Sequence, residues 1–367
     1  MRLRVRDEIG GGKTQPGMEG LRLNDNDFRL HRPEAYTLTG RFVNASLRAG
    51  SMSIAEGSYG GKRVLVTGAT GFIGRHLVDA LFGYGAHVGI VARTVSRQHL
   101  LPWNPKTDAL VSLFEADICD YRALETAFIW ADGGTVFHLA AKNSVDNSYR
   151  ETEEYFRVNL EGTKRVADLA QRYGNRLVHL STSEIYGRQD TFPISETAAP
   201  DPRSPYAASK LAGEALVRSY IKSFALDAVV LRPFNVFGPG QSERAVIPTI
   251  INQVKAGGVV HLGHTFPTRD WTYVTDTVNA ITRAGVGECE GLIMNIATGI
   301  DCSVKDAFLV VREISGREID FTHDQDRERP MPSEIPNLIG DASVAKAVLG
   351  WKPTIGFRDG LRKCWQL

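Results

Sequence analysis

The sequence of 367 residues is 43% hydrophobic and 23% charged, which is enough apolar material for one large or two medium domains with a buried core. A formal net charge of +1 gives no general attraction to nucleic acid or to anionic membrane surfaces, so we expect neither as a partner. Because the sequence contains no run of about 18 apolar residues and no apolar secretory core at its N-terminus, we expect a cytoplasmic protein without a membrane span.

Residues 1–57 lack the regular patterning of the rest of the chain. Three glycines at 10–12, the pair Pro16-Gly17 and the absence of a sustained period favour a flexible or irregular N-terminal extension. Within it we expect a short strand near residues 36–44, and Met52 is an alternative start of translation. We assign no function to this extension.

From Lys62 onward, apolar strands and amphipathic helices alternate regularly. This pattern predicts an α/β fold with a doubly wound parallel sheet covered on both faces, and we place this dinucleotide-binding (Rossmann) domain at residues 58–235. Strands are predicted over residues 62–67, 86–92, 111–116, 135–139, 177–180 and 228–231. Helices are predicted over residues 72–84, 121–129, 151–173 and 207–224.

A glycine-rich turn follows the first predicted strand, in the stretch VLVTGATGFIG at residues 64–74. Gly68, Gly71 and Gly74 have the spacing G-x-x-G-x-x-G, and an amphipathic run begins at Phe72. Glycines at this turn let the backbone approach a dinucleotide closely, and the N–H groups that open the helix can hold its pyrophosphate. The stretch therefore predicts an NAD or NADP site.

Residues 236–367 have more proline and glycine and shorter elements, and we expect them to form a smaller α/β portion that mainly binds substrate. Helices are predicted there over residues 246–255, 275–284, 304–314 and 342–349. Cys119, Cys289, Cys302 and Cys364 have neither metal-type nor disulfide-scaffold spacing. We therefore expect reduced structural thiols and no bound metal.

The residues after the second and third strands bear on the adenosine half of the cofactor. An acidic residue that would bind a free ribose is replaced by Arg93, with Arg97 nearby, and an arginine here can pair with a 2′-phosphate. Both NAD and NADP therefore stay open. Asp117, directly after the third strand, is placed to meet the adenine edge.

Tyr206 and Lys210 form a Y-x-x-x-K pair on one face of a predicted helix. A lysine ammonium beside the phenol is expected to lower the pKa of Tyr206 toward that of a general base. Ser181-Thr182-Ser183-Glu184, at the end of the fifth strand, would bring a hydroxyl and a carboxylate over the nicotinamide.

From about Lys62 to the C-terminus, the chain resembles an extended short-chain dehydrogenase/reductase of the NDP-sugar epimerase/dehydratase family. The stretches that carry the resemblance are TGATGFIG (67–74), FHLAA (137–141), VNLEGT (158–163), STSEIYG (181–187), SPYAASK (204–210) and RPFNVFGPGQ (232–241). The resemblance implies a Rossmann domain, tightly held NAD(P), a nucleotide-sugar substrate and a homodimer.

The resemblance also implies the site residues. The catalytic set falls on Thr182, Ser183, Glu184, Tyr206 and Lys210. Cofactor contacts fall on Gly68, Thr70, Gly71, Phe72, Ile73, Gly74, Arg93, Asp117, Ile118, Leu139, Ala140, Ala141 and Lys210. Substrate contacts fall on Asn235, Arg244, Arg269 and Arg329, since a guanidinium matches phosphate oxygens in two places. Asn159 is expected to brace the active-site helix, and His138 to be a packed core residue.

Residues 241–249, 267–270 and 327–334 are most similar to N-acetylglucosamine 4,6-dehydratases of the legionaminic-acid type, which also have Ser-Glu after the threonine. This likeness implies that Tyr206 takes the proton from the 4-hydroxyl as C4 gives hydride to the nicotinamide. Glu184 then removes the C5 proton, water leaves from C6, and the hydride returns to C6. A serine in place of the aspartate of dTDP-glucose-type dehydratases leaves the acid at C6 open.

Other activities stay open at this point. A 4-epimerase would need only Thr182, Tyr206 and Lys210, without Glu184. A C4-oxidising decarboxylase, an exocyclic 5,6-dehydratase and a dinucleotide-binding protein without turnover are further alternatives.

Overall fold

The computed structural model describes residues 58–94, 110–328 and 333–366, and the predictions for residues 1–57 lie outside them. Numbered along the chain, the strands are β1 (Arg63–Thr67), β2 (His87–Ala92), β3 (Val111–Glu115), β4 (Thr135–His138), β5 (Arg176–Leu180), β6 (Ala228–Pro233), β7 (Asn235–Phe237), β8 (Val260–Leu262), β9 (Thr268–Tyr273), β10 (Ile293–Ile296), β11 (Asp301–Ser303), β12 (Phe321–His323) and β13 (Asn337–Leu338). The helices are α1 (Phe72–Gly83), α2 (Tyr121–Ala131), α3 (Val145–Ser148), α4 (Thr152–Phe156), α5 (Thr163–Tyr173), α6 (Pro205–Phe224), α7 (Val246–Ala256), α8 (Val274–Val286), α9 (Val304–Ser315), α10 (Ser343–Leu349) and α11 (Phe357–Trp365).

Seven parallel strands form the main sheet, in the order β10-β6-β5-β4-β1-β2-β3. Alternate residues of β1 face opposite cores: Val64 and Val66 pack into one apolar cluster and Leu65 into the other. A sheet buried on both faces explains why its strands are continuous apolar runs. The predicted doubly wound α/β fold is confirmed.

The strand order reverses between β1 and β4, which are neighbours in the sheet although β2 and β3 separate them in sequence. Chain connections leave a crevice at such a reversal, at the carboxyl ends of the strands, and ligands of open α/β sheets bind there. The glycine turn after β1 and the segments after β4 and β5 all open onto this edge. The fold thus brings the predicted cofactor and catalytic segments together.

The helix predicted over residues 151–173 is interrupted. Residues Arg157–Gly162 form a π-helical segment between α4 and α5. The contact with α6 is tight there, because a Cβ on Gly213 would lie 2.5 Å from the Asn159 carbonyl oxygen. Periodicity could not reveal this segment, since its widened turn accompanies contacts made across the fold.

The chain returns to the main sheet after residue 236, because β10 pairs with β6 and α8 packs against β4 and β5. The remaining strands form two small sheets, one built on β9 and one from β8 and β12. These small sheets and α7, α9 and α11 lie in the portion that we expect to bind substrate.

Candidate active site

The first wall of the site is the glycine turn between β1 and α1. A Cβ on Gly74 would lie 2.1 Å from the Gly68 carbonyl oxygen, and one on Gly68 would lie 2.6 Å from the Ala140 nitrogen. No side chain caps the N-terminus of α1, whose N-cap is Gly71, and no acidic residue lies in its first turn. A helix N-terminus without a side-chain cap or a nearby acidic residue fits the pyrophosphate of a dinucleotide.

The second wall is the end of β4 and the residues that follow it, Leu139–Ala141. Thr67 Oγ1 accepts a hydrogen bond from the Ala140 N–H at 3.3 Å and lies 2.8 Å from His138 Nδ1. His138 Nε2 lies 3.0 Å from Thr163 Oγ1, and burial lowers the pKa of His138 to about 3. His138 is therefore a neutral packed residue, as predicted, which joins the ends of two strands.

At the adenosine end, Asp117 and Ile118 follow β3. Asp117 Oδ1 accepts from the Cys119 N–H at 2.8 Å, and its other carboxylate oxygen lies 3.7 Å from an Arg157 guanidinium nitrogen. Arg93 is exposed at the end of β2, while Arg97 lies outside the described residues. Both acidic and basic groups thus lie at this end, and the adenosine contacts remain predictions.

Tyr206 and Thr182 meet at the centre of the site. Tyr206 lies in the first turn of α6, whose N-cap Ser204 accepts from the Ala207 N–H at 3.1 Å. The Thr182 hydroxyl lies close enough to the phenol to lower its pKa. Lys210 is buried, and its Nζ donates to the Leu180 carbonyl at 2.6 Å. Thr182, two residues after β5, and Tyr206 and Lys210 on α6 therefore lie together at the carboxyl end of β5, and their catalytic roles remain predictions.

The pKa of Tyr206 differs from the sequence-based expectation. It is raised to about 12, chiefly by burial; hydrogen bonding by Thr182 lowers it, and the negative charge of Glu184 contributes to the rise. The expectation that Lys210 lowers this pKa toward neutrality is wrong for the ligand-free site, because burial dominates the shift, Lys210 is not among the groups that change it, and its ammonium donates to the Leu180 carbonyl. A phenolate at Tyr206 needs further positive charge, which an oxidised nicotinamide carries.

Ser183 and Glu184 lie in a 3₁₀ turn, Ser183–Tyr186, that directly follows Thr182. Thr182 caps this turn by accepting from the Glu184 N–H at 3.3 Å. Ser183 is buried, whereas Glu184 is half-buried and close enough to Tyr206 to affect its pKa. A carboxylate thus joins the Thr–Tyr–Lys set in one site.

The predicted substrate residues lie in different surroundings. Asn235 Oδ1 is buried without a hydrogen-bond partner, which fits a ligand donor at this position. Arg269 is buried on β9 and donates to the carbonyls of Thr268 and Ile335 and to Glu334 Oε1, at 2.9, 2.8 and 3.0 Å. Arg244 is exposed before α7, and Arg329 lies outside the described residues. Their contacts with substrate remain predictions.

Sequence reasoning did not single out Tyr155, whose ring centroid lies 6.4 Å from that of Tyr206 at an interplanar angle of 81°. Lys142 Nζ lies 5.3 Å from the centre of the Tyr155 ring. Asn159, predicted as a brace, bonds the backbone of Lys142 in both directions at 2.8 and 3.0 Å and also donates to Ser209 Oγ at 2.9 Å. The position of Tyr155, four residues before Asn159, is the sequence signal that could have indicated its contact with Tyr206.

Two absences hold for the described parts of the chain. No group of three histidine, cysteine, aspartate or glutamate side chains there is arranged to hold a metal ion. Likewise, none of the helices within these ranges is long and apolar enough to cross a membrane.

Comparisons with known proteins match nearly all of the described chain. The family model for GDP-mannose 4,6-dehydratase matches residues 65–364. A UDP-glucose 4-epimerase from Mycolicibacterium smegmatis is 33% identical over 309 residues, which cover 82% of this chain and 96% of the relative. A dTDP-glucose 4,6-dehydratase from Streptomyces griseus is 31% identical over 314 residues, which cover 81% of this chain and 91% of the relative. The crystal structure of the Thermus thermophilus UDP-glucose 4-epimerase with NAD has a TM-score of 0.75 at 31% identity, covering 83% and 98%.

Proposed function

This chain belongs to the GDP-mannose 4,6-dehydratase family of nucleotide-sugar epimerases and dehydratases, and we propose that it is an NDP-N-acetylhexosamine 4,6-dehydratase. It is an NAD(P)-dependent enzyme of the Rossmann type that acts on a nucleotide sugar. The N-acetyl group and the choice of dehydration are the parts that go beyond family membership. They are supported by the likeness of residues 241–249, 267–270 and 327–334 to N-acetylglucosamine 4,6-dehydratases.

Glu184 is the observation that favours dehydration. Its side chain is half-buried in the turn that directly follows Thr182, close enough to Tyr206 for its negative charge to act on the pKa of the phenol. Elimination of water across C5 and C6 needs a base for the C5 proton in addition to the base for the 4-hydroxyl. In this proposal Glu184 is the first base and Tyr206 is the second, whereas 4-epimerisation needs only the second.

Each residue of the site has its own role in the proposed reaction. A nicotinamide dinucleotide held at the glycine turn between β1 and α1 would supply the hydride acceptor for C4 and the hydride donor for C6. Tyr206, held by Thr182, takes the proton of the 4-hydroxyl, and the ammonium of Lys210 adds positive charge on the same helix face. The C5 proton, made acidic by the 4-ketone, passes to Glu184, and water leaves from C6. Ser183 lies next to Glu184 and can orient the 6-hydroxyl.

A 4-epimerase is the second candidate, favoured by the 33% identical relative with that name. For this reaction, Thr182, Tyr206 and Lys210 suffice, and hydride returns to the other face of C4. Glu184 would then have no chemical role. The two candidates therefore differ in whether the C5 proton exchanges.

The test is incubation of the purified protein with UDP-N-acetylglucosamine in deuterated water, followed by mass spectrometry. Dehydration predicts loss of one water and one solvent deuteron at C5. Glu184→Gln should abolish this product, whereas Glu161→Gln, which changes an exposed carboxylate paired with Arg165, should not. An unchanged mass with a new C4 epimer would overturn the dehydratase in favour of the epimerase.

Two further parts of the proposal are a homodimer and a cytoplasmic location. The resemblance to extended short-chain dehydrogenases supports the homodimer, and membership of this enzyme family supports the cytoplasmic location. Light scattering coupled to size-exclusion chromatography of the purified protein would test the dimer. Fractionation of the producing cells would test the location.

A further inference from the structure

A buried ion pair lies beneath the catalytic residues. The Glu214 side chain on α6 is 0% exposed and that of Arg232 on β6 is 2% exposed. Arg232 Nε donates to Glu214 Oε2 at 3.0 Å, and Arg232 Nη2 donates to Glu214 Oε1. The pair thus has the two-point geometry in which a guanidinium fixes a carboxylate.

The pair is attached to the segment that precedes Thr182. Glu214 Oε2 also accepts from Ser181 Oγ at 2.7 Å. Lys210, one turn earlier on α6, donates to the Leu180 carbonyl at 2.6 Å. Two side chains of one helix therefore hold consecutive residues at the end of β5.

The pair is also attached to the far end of the turn that carries Glu184. Arg232 Nη1 donates to Tyr186 Oη at 2.7 Å, and the Arg232 guanidinium carbon lies 4.9 Å from the centre of the Tyr186 ring. Tyr186 Oη in turn donates to Asn295 Oδ1 at 2.7 Å. The Ser181–Tyr186 segment is thus fastened at both ends to α6 and β6.

We propose that Glu214 and Arg232 are positioning residues, which hold Thr182 and Glu184 in register with Tyr206 on α6. Stability alone does not account for such a pair, since apolar residues of similar volume often replace a buried ion pair without loss of stability. Catalytic groups, by contrast, must be held within about 0.5 Å of productive geometry. The inference rests on the proposed function for the reaction that the positioning serves.

Two variants each remove a single hydroxyl from this network. Ser181→Ala removes the bond to Glu214, and Tyr186→Phe removes the bond to Arg232. Tyr220→Phe is the matched control, because Tyr220 also lies on α6 but its hydroxyl donates to Asp168 on α5, outside this network. Full-length protein loaded with NAD is used throughout.

The first readout is amide hydrogen exchange of residues 181–187. We expect about tenfold faster exchange in Ser181→Ala and Tyr186→Phe, as loss of one buried hydrogen bond produces, and no change in Tyr220→Phe. Unchanged exchange in both variants would overturn the proposal. This readout is independent of turnover, so it decides the positioning even if the wild-type protein fails to dehydrate UDP-N-acetylglucosamine and the proposed function fails.

The second readout is kinetic. We expect kcat to fall by about 10-fold to 100-fold in both variants with KM nearly unchanged, since misplaced catalytic groups affect the reaction more than binding. A double variant, Glu214→Leu with Arg232→Met, should fold and show the same fall in kcat. Faster exchange with wild-type kcat would show a purely structural network and overturn the proposal.

Discussion

Arg269 and Glu334 form a buried ion pair, with Nη2 of Arg269 3.0 Å from Oε1 of Glu334 and side-chain exposures of 8% and 6%. Arg269 also donates to the carbonyls of Thr268 and Ile335. These contacts fix the plane of the guanidinium before any ligand binds. A preorganised guanidinium loses little freedom on binding a diphosphate.

Substitution of Arg269 by lysine should therefore weaken substrate binding. A lysine keeps the charge but cannot reproduce the planar fork, so we expect KM for the nucleotide sugar to rise about tenfold, as for loss of one charged hydrogen bond. Steady-state kinetics measure this change. Arg312→Lys, at a surface pair 4.0 Å from Asp320, is the control and should leave KM unchanged. Equal KM values in both variants would remove Arg269 from the substrate site.

A second prediction separates two glycines of α1. Gly74→Ala places a methyl group where a Cβ would lie 2.1 Å from the Gly68 carbonyl oxygen, so the helix must move away from β1. We expect this variant to lose about 1–3 kcal/mol of stability and most of its NAD(P) binding. A Cβ on Gly83 meets nothing within 4 Å, so Gly83→Ala should gain about 0.4–1 kcal/mol and bind cofactor normally.

Thermal unfolding and cofactor titration of the two variants measure both effects. Equal stability of Gly74→Ala and Gly83→Ala would contradict the close packing of the glycine turn.

The elements around the predicted cofactor site were predictable because their sequence signals are local. The glycine spacing after β1 and the Tyr206–Lys210 spacing both act within one or two turns of chain. The structure places these residues at one edge of the sheet. Local sequence therefore determined most of the fold and the residues at the centre of the site.

The contacts that depend on tertiary structure were not predictable. Glu214 lies four residues after Lys210, but nothing local shows that it pairs with Arg232 from the neighbouring strand. The predicted fall in the pKa of Tyr206 was wrong for the same reason. Burial is the main cause of the observed rise, and burial follows from packing. The ion pair of Arg269 with Glu334 likewise joins residues 65 positions apart.

Arg93 gives a prediction about cofactor choice. It is exposed at the end of β2, in the place where an acidic residue would bind the free ribose hydroxyls. We expect Arg93→Ser to weaken NADP binding about tenfold, the loss of one charge-assisted phosphate contact, and to change NAD binding little. Fluorescence titration with each dinucleotide measures the ratio. Arg122→Ser, another exposed arginine, is the control; an unchanged ratio in Arg93→Ser would show that Arg93 is a surface charge.

Lys210 gives a prediction about pH. Burial lowers its pKa to about 8 from the ordinary 10.5, and Glu214 opposes the shift. Neighbouring groups titrate elsewhere: the pKa of His138 is about 3, that of His179 is well below 6.5 and that of Tyr206 is about 12. If catalysis requires the ammonium, kcat/KM should fall as pH rises through about 8.

The stability of the folded protein should also depend on the titration of Lys210, but it should rise with pH where kcat/KM falls. Between pH 8 and 10.5 the unfolded chain holds the Lys210 proton more firmly than the folded one, so this group's contribution to stability rises with pH over that window. Denaturant unfolding of the cofactor-free protein at several pH values measures the rise. Lys210→Met should remove both the rise and the activity, whereas Lys222→Met, at an exposed position of α6, should keep both. If Lys210→Met keeps some activity and its kcat/KM still falls as pH rises through about 8, that fall belongs to another group.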